Sequence, residues 1–410
     1  MQQKIYHLDE HQISLDQVDN DALYVMEKLR HAGYTAYLVG GGVRDLLLKG
    51  KPKDFDISTS AKPEEIKQLF RNCILIGRRF RLAHIRFGKK ILEVSTFRSG
   101  DTQTEELIIR DNVWGTEEED VTRRDFTING LFYDPSTQTI IDYVSGYPDI
   151  QKKLLRTIGQ PFVRFKQDPV RMIRLLKFQA RFGLEVNPDA HIALLECRSE
   201  ITKSSPARIL EELLRMLESG HAAPFFKLMS EHGMLALMLP ALAHFMETPE
   251  GSDIYSYLQE VDRAIQEAHF KSIERPLLMC CLVYPILAKR IQTQFTDRGR
   301  IPHLGEIQQE SYKLITEVFH PFFQIPRRMR MSMVSIITSQ YRLTPVEKKR
   351  LSRIRIPHDP EFGLALQFLK IRSCIEPGLQ LILKEWQEAF EGGEKPVIKR
   401  RRRRRPPRPA

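Results

Sequence analysis

Three glycines set between an apolar tripeptide and a pair of acids constrain this chain more than any other stretch. Residues 37–58 run from Tyr37-Leu38-Val39 into Gly40-Gly41-Gly42, through Val43-Arg44-Asp45, to Asp54-Phe55-Asp56. The tripeptide predicts a short strand, and Val43 to about Leu48 a short helix. Asp54 and Asp56 open a second expected strand, where alternation turns both carboxylates to one face about 7 Å apart. Two such charges are costly unless something positive lies between them, and a divalent cation with hard oxygen ligands is the natural partner. Glycine lets backbone approach a phosphate closely, because there is no Cβ. The following helix offers free N–H groups to an anion. Alone, an Asp-x-Asp pair is most often a solvated loop, and a glycine run a turn. Joined in this order, they read as a phosphate cradle beside a metal site, the equipment for nucleotidyl or phosphoryl transfer.

The remaining chain narrows the class. With 410 residues there is room for two or three domains and a proper core. The first part mixes strands and helices: a helix from Asp21 to Arg30, another from Pro63 to Phe70, and strands at Cys73–Ile76, His84–Phe87 and Ile91–Thr96. From about 180 to 390 the apolar spacing is helical. The five cysteines are scattered and odd in number, with no CxxC pair, so reduced thiols are expected rather than disulfides or zinc. The first residues lack an apolar leader, and no run reaches the length of a membrane span, so a cytoplasmic protein is expected. Lys399, Arg400 to Arg405 and Arg408 supply +8 of the net charge of +11, leaving a body that is only mildly basic. Such a tail cannot bury a core. It suits sequence-independent, salt-sensitive binding of RNA through residues such as Arg401, Arg402 and Arg403, or a localisation signal.

Three further segments hold candidate residues. Glu93 lies within the apolar strand 91–96, either on an edge facing solvent or as a third acid beside Asp54 and Asp56. Residues 117–130 place four acids, then Arg123-Arg124, then Asp125, which an N-cap and simple charge pairing would also explain. After Gln167, Asp168 and Pro169 start a helix on which Arg171, Arg174 and Lys177 form a basic strip. That strip is either a solvated face or, with Asp168, a donor–acceptor set for a base edge.

The glycine-and-acid stretch resembles the signature of the nucleotidyltransferase superfamily headed by DNA polymerase beta, and more closely its class II branch of tRNA nucleotidyltransferases and bacterial poly(A) polymerases. Arg123-Arg124-Asp125-Phe126-Thr127-Ile128-Asn129 is similar to that family's Arg-Arg-Asp-x-Thr-Ile-Asn motif, and Asp142 to Ile150 to its linker out of the head. Asp168 and Arg171 match its nucleotide-choosing Glu-Asp-x-x-Arg, with Gln167 in place of Glu, which puts the detail of the base contacts in doubt. Leu69-Phe70-Arg71-Asn72-Cys73 followed by Gly77-Arg78-Arg79-Phe80-Arg81-Leu82-Ala83-His84 resembles the poly(A) polymerase side of the family.

The resemblance implies an α+β fold: a nucleotidyltransferase head with a small mixed sheet, then an all-helical body and a disordered basic tail. The expected parts are a flexible arm at 1–20, a catalytic head at 21–150, a nucleotide-selecting neck at 151–220, an RNA-binding body at 221–390 and the tail at 391–410. It implies AMP addition from ATP to RNA 3′ ends with two magnesium ions, promoting RNA turnover. Asp54 and Asp56 would hold metal, with Glu93 or Asp125 completing the set. Gly41, Gly42, Arg44 and Arg124 would meet the triphosphate or ribose, Asp168, Arg171 and Arg174 the nucleotide, and Arg78, Arg79 and Arg81 the RNA. CCA addition to tRNA is the alternative activity, and an RNA-binding protein on an inactive head the alternative class.

Overall fold

The computed structural model describes residues 2–77, 82–100, 113–267, 273–346 and 356–392. Arg78, Arg79, Arg81, Arg401, Arg402 and Arg403 lie outside them. The chain divides into two compact units, Met1–Ala243 with Pro321–Gln324, and His244–His320 with Ile325–Ala410. The boundaries expected at 150 and 220 both fall within the first unit.

In the first unit, β1 (Lys4–Tyr6) and the short α1 (Leu8–His11) lead into α2 (Asn20–His31). Asp19 caps α2 by accepting from the N–H groups of Asp21 and Ala22, and Ala22, Val25, Met26 and Leu29 give it a fully buried stripe. Then follow β2 (Ala36–Val39), α3 (Gly41–Leu47), β3 (Asp56–Thr59), α4 (Pro63–Leu69), β4 (Cys73–Ile76), β5 (Leu82–Phe87) and β6 (Lys90–Thr96). A small pair, β7 (Arg98–Ser99) and β8 (Val113–Trp114), precedes α5 (Glu117–Thr122), β9 (Leu131–Asp134) and β10 (Thr139–Asp142). Eight strands make one sheet in the order β1-β10-β9-β2-β3-β6-β5-β4. Neighbours are antiparallel except β3 and β6, which run parallel with Ile57 beside Val94. Ile57, Ala83, Ile85 and Val94 are wholly buried on one face of this sheet, the face that alternation sets opposite Asp56, His84 and Glu93.

The N-terminal residues are not a free arm. Lys4, Ile5 and Tyr6 pair with Asp142, Ile141 and Ile140. Tyr147 donates from its hydroxyl to the Glu10 carbonyl at 2.7 Å, and its ring packs 4.2 Å from that of Tyr6. A strand of three residues is too short to display alternation, and its partner lies far along the chain, so local reading could not find it.

After α6 (Gly146–Gln151), helices α7 (Pro161–Gln167), α8 (Val170–Phe182), α9 (Pro188–Cys197) and α10 (Pro206–Leu217) pack beside one another, most closely α7 with α9 and α8 with α10. Prolines open three of the four, where a missing N–H costs nothing. The second unit is helical: Ser252–Gln266, Arg275–Gln294, Leu304–Phe319, Arg327–Leu343, Phe362–Ile375 and Leu379–Gly392. Within it Arg372 is buried, lies 4.7 Å from the Tyr284 ring and donates to both Glu376 oxygens. Among the described residues no helix is long and apolar enough to cross a membrane.

Candidate active site

The open face of the sheet collects the acids. The parallel register of β3 and β6 sets Asp56 beside Glu93, one step before the Ile57–Val94 pair. On the other side of β6, Glu93 pairs with His84 of β5, whose Nε2 lies 3.3 Å from the Glu93 carboxylate. Two residues further along, Ser58 and Ser95 meet at 2.9 Å, which fixes the shared face. Asp54 is not in the strand. It sits in the exposed loop that leads into it, so strand alternation does not orient it. Its charge still reaches Asp56. Burial, then the charges of Glu93 and Asp54, push the Asp56 carboxyl up to about 6, against the pull of Arg124 and Arg215.

Gly42 holds this loop in place. A Cβ there would stand 3.3 Å from the Asp54 carbonyl oxygen and 3.8 Å from the Phe55 ring. Gly40 has a φ of +65°, a conformation that favours glycine, and it turns the chain from β2 into α3. Helix α3 starts within the glycines, at Gly41, so the N–H groups of its first turn have no intrahelical acceptors.

Arg124 is aimed at the same face. It donates to Ser58 Oγ at 3.2 Å and to Asp120 at 2.7 and 3.2 Å. Asp120 is fully buried and also binds Arg123. Despite that burial, Arg124 and Arg123 hold its carboxyl below the usual range.

Asp125 points elsewhere, and it is not a helix cap: Phe126 precedes the short turn of Thr127–Asn129. Asp125 accepts from Asn129 at 2.9 Å and faces Arg174 at 3.5 Å. Although its partial burial pushes the other way, Arg174, Asn129 and Arg171 keep its carboxyl below the usual range. Arg44 lies in the same interior. It donates twice to Asp45 and once to Asn129, and its guanidinium lies within 4.8 Å of the Phe178 and Phe182 ring centres. Arg44 is therefore a buried strut between α3 and α8 rather than a side chain reaching into solvent.

The basic strip on α8 is likewise not a solvated face. Arg174 and Lys177 both donate to Glu212 of α10, at 2.9 and 2.8 Å. Arg171 is buried and donates to the Arg123 carbonyl, while its Nη1 is buried with no hydrogen-bond partner. Asp168 accepts both Nη groups of Arg208, at 3.1 and 2.9 Å. Gln167, which replaces the family's Glu, is buried and accepts from Arg164 at 2.7 Å.

Sequence reading missed Asp120, Arg208, Glu212 and His84. Asp120 had a local signal, three and four residues before the arginines it holds. Glu212 had a weaker one, an acid on the apolar face of α10 between Ile209 and Met216. Arg208 and His84 act through partners distant in sequence, which no local pattern reveals.

The acids suit a divalent cation. Asp54, Asp56 and Glu93 repel one another, and a cation would relieve that. Among the described residues no three His, Cys, Asp or Glu side chains make a ready cage for a metal. Magnesium does not need one, since it keeps waters and binds through one or two carboxylates together with substrate phosphates.

Comparison with known proteins agrees with this geometry. The family "Poly A polymerase head domain" matches residues 36–156, and "Probable RNA and SrmB- binding site of polymerase A" matches residues 183–246. Poly(A) polymerase I of Escherichia coli is 34% identical over 403 residues, spanning 93% of this chain and 84% of its own. That of Haemophilus influenzae is 33% identical over 404 residues, spanning 93% and 87%. The CCA-adding enzyme of Staphylococcus saprophyticus is 29% identical over 396 residues, spanning 92% and 96%. In fold, the chain is similar to a crystal structure of the Bacillus stearothermophilus CCA-adding enzyme in complex with CTP. The TM-score is 0.62 at 24% identity, covering 90% of this chain and 81% of that one. By sequence, this chain belongs to the poly(A) polymerase I family of nucleotidyltransferases.

Proposed function

We propose that this protein adds AMP from ATP to RNA 3′ ends without a template, releasing pyrophosphate, and that it acts in the cytoplasm, where the added tails promote RNA turnover. The observation that carries the reading is the row Asp56–Glu93 on the open face of the sheet, with Asp54 and Arg124 beside it, in a chain that matches poly(A) polymerases over nearly its whole length.

The RNA 3′-hydroxyl oxygen attacks the α-phosphorus of ATP. The new P–O bond forms as the bond to pyrophosphate breaks, and the hydroxyl proton passes to water. Asp54, Asp56 and Glu93 are the residues that would hold magnesium, which when bound supplies hydroxyl activation and charge neutralisation on the triphosphate. Glu93 is favoured over Asp125 as the third carboxylate because it adjoins Asp56, while Asp125 faces arginines. The first turn of α3, at Gly41 and Gly42, and Arg124 face the triphosphate. Asp168 and Arg171 meet the base. Arg44, Arg174 and Asp125 brace α3, α8 and the Thr127–Asn129 turn from within.

CCA addition is the second reading, supported by the full-length match to a CCA-adding enzyme. One gel assay separates them. An unstructured RNA with ATP alone gives a long ladder for a poly(A) polymerase. A tRNA lacking its CCA end gives a three-nucleotide, CTP-dependent stop for a CCA-adding enzyme. A protein that extends neither RNA with magnesium present would refute both.

A further inference from the structure

We infer that the outer strands of the sheet, beyond the acids, form the seat for the last nucleotides of the RNA acceptor, and this rests on the polymerase reading above. The open face of β4, β5 and β6 is apolar where it leaves the carboxylates. Ile74 and Ile76 of β4 are 44% and 37% exposed, and Ile91 of β6 is 43% exposed. The register puts them on the side of the acids. Ile74 pairs with His84, which pairs with Glu93, so the row Asp56–Glu93–His84–Ile74 crosses four strands on one face. Ile91 lies two residues before Glu93, on the same face. Their strand neighbours Cys73 and Leu92 are buried on the other side.

Adjacent strands lie about 4.8 Å apart, so Ile74 stands about 10 Å from Glu93. That is within reach of a nucleotide whose 3′-hydroxyl is at the carboxylates. The acceptor must lie on this face, since the acids do. Bases offer flat apolar surfaces to any hydrophobic platform, and such packing does not depend on base identity. Isoleucines carry no donor or acceptor to read a base edge, which suits an enzyme that must accept its own product after every addition. Arg86 of β5, exposed and paired with Ile91, supplies a cation for a phosphate at the rim. Acids towards the reacting end, isoleucines under the bases and an arginine beside them match the chemistry of a single-stranded RNA end.

The test uses the full-length protein and a short oligoadenylate. The double variant Ile74→Ser with Ile76→Ser, and separately Ile91→Ser, should raise KM for the oligoadenylate about tenfold, equivalent to about 1.4 kcal/mol. KM for ATP should not move. Ile74→Val with Ile76→Val should keep the wild-type KM. A photoreactive base at the RNA 3′ terminus should cross-link to peptides carrying Ile74, Ile76 or Ile91. Unmoved KM for RNA with cross-links confined elsewhere would overturn the seat. So would wild-type protein that dimerises on concentration and serine variants that do not, because the face would then bind a second copy. A wild-type protein that binds the oligonucleotide but does not extend it defeats the polymerase reading instead, and the cross-link alone then decides the seat.

Discussion

Replacing Asp56 by Asn should remove activity and add stability. Burial first, then the charges of Glu93 and Asp54, raise the Asp56 carboxyl from 3.8 to about 6. At about 1.36 kcal/mol per unit, the ionised form costs the folded state about 3 kcal/mol relative to the unfolded chain. The sign follows from the two pKa values. Below about pH 4 the group is protonated in both states and costs nothing. Between about pH 4 and 6 the unfolded chain releases its proton more readily than the folded one, so the cost grows. Above about pH 6 it is complete. An amide does not ionise, so Asp56→Asn should stabilise the metal-free protein at about pH 7.5. Neighbouring water and small rearrangements reduce the gain to about 1–2 kcal/mol, or about 2–8 °C in Tm for a unit of this size. Melting curves in EDTA from pH 4 to 8 should show the gap between variant and wild type closing as pH falls. Magnesium should raise the Tm of wild type and leave the variant unmoved, and AMP incorporation should vanish in the variant. A variant no more stable than wild type at neutral pH, a gap independent of pH, or retained AMP incorporation would refute the reasoning.

Glu212→Ala strips the shared acceptor from Arg174 and Lys177. Losing one side of a buried ion pair costs about 3–5 kcal/mol, reduced to about 2–3 here because the Arg174 side chain is 36% exposed, and urea unfolding measures it. Arg208→Ala frees the Asp168 carboxylate from its two-point clamp and should cut the preference for ATP over CTP about tenfold, read as the ratio of kcat/KM values. Deleting residues 396–410 should weaken RNA binding mainly at low salt and flatten the dependence of affinity on salt, which filter binding across a salt series would show.

What the sequence disclosed was what local chemistry writes down. The glycines, Asp56 and the Arg123-Arg124-Asp125 run are legible because each needs a particular residue type at a fixed offset. Glu93 stood out as a charge inside an apolar strand, but only the β3–β6 register puts it beside Asp56. Arg44 is the opposite case. The family resemblance implies a phosphate contact there, but only the folded chain shows Asp45, Asn129 and two phenylalanines enclosing it. For the strip of Arg171, Arg174 and Lys177 a solvated face stayed open beside the base-contact reading, because Glu212 and Asp125, which neutralise it, come from other elements. Helices of the second unit were visible from apolar spacing alone, since their burial follows the helical period.

The pairing of Lys4–Tyr6 with Thr139–Asp142 also sets a timetable. As the chain leaves a ribosome, residues 4–6 emerge long before the strand they join. The other strands of the sheet pair with neighbours nearer in sequence, so the sheet grows from within and this edge closes last. Contacts between such distant segments are slow to form because the long loop between them must close first. Until Asp142 is out and folded, β1 stays unpaired, and β10 gains its last partner only when it docks. A chain halted in that interval leaves bare strand edges, and its hazard is pairing with another unfinished chain.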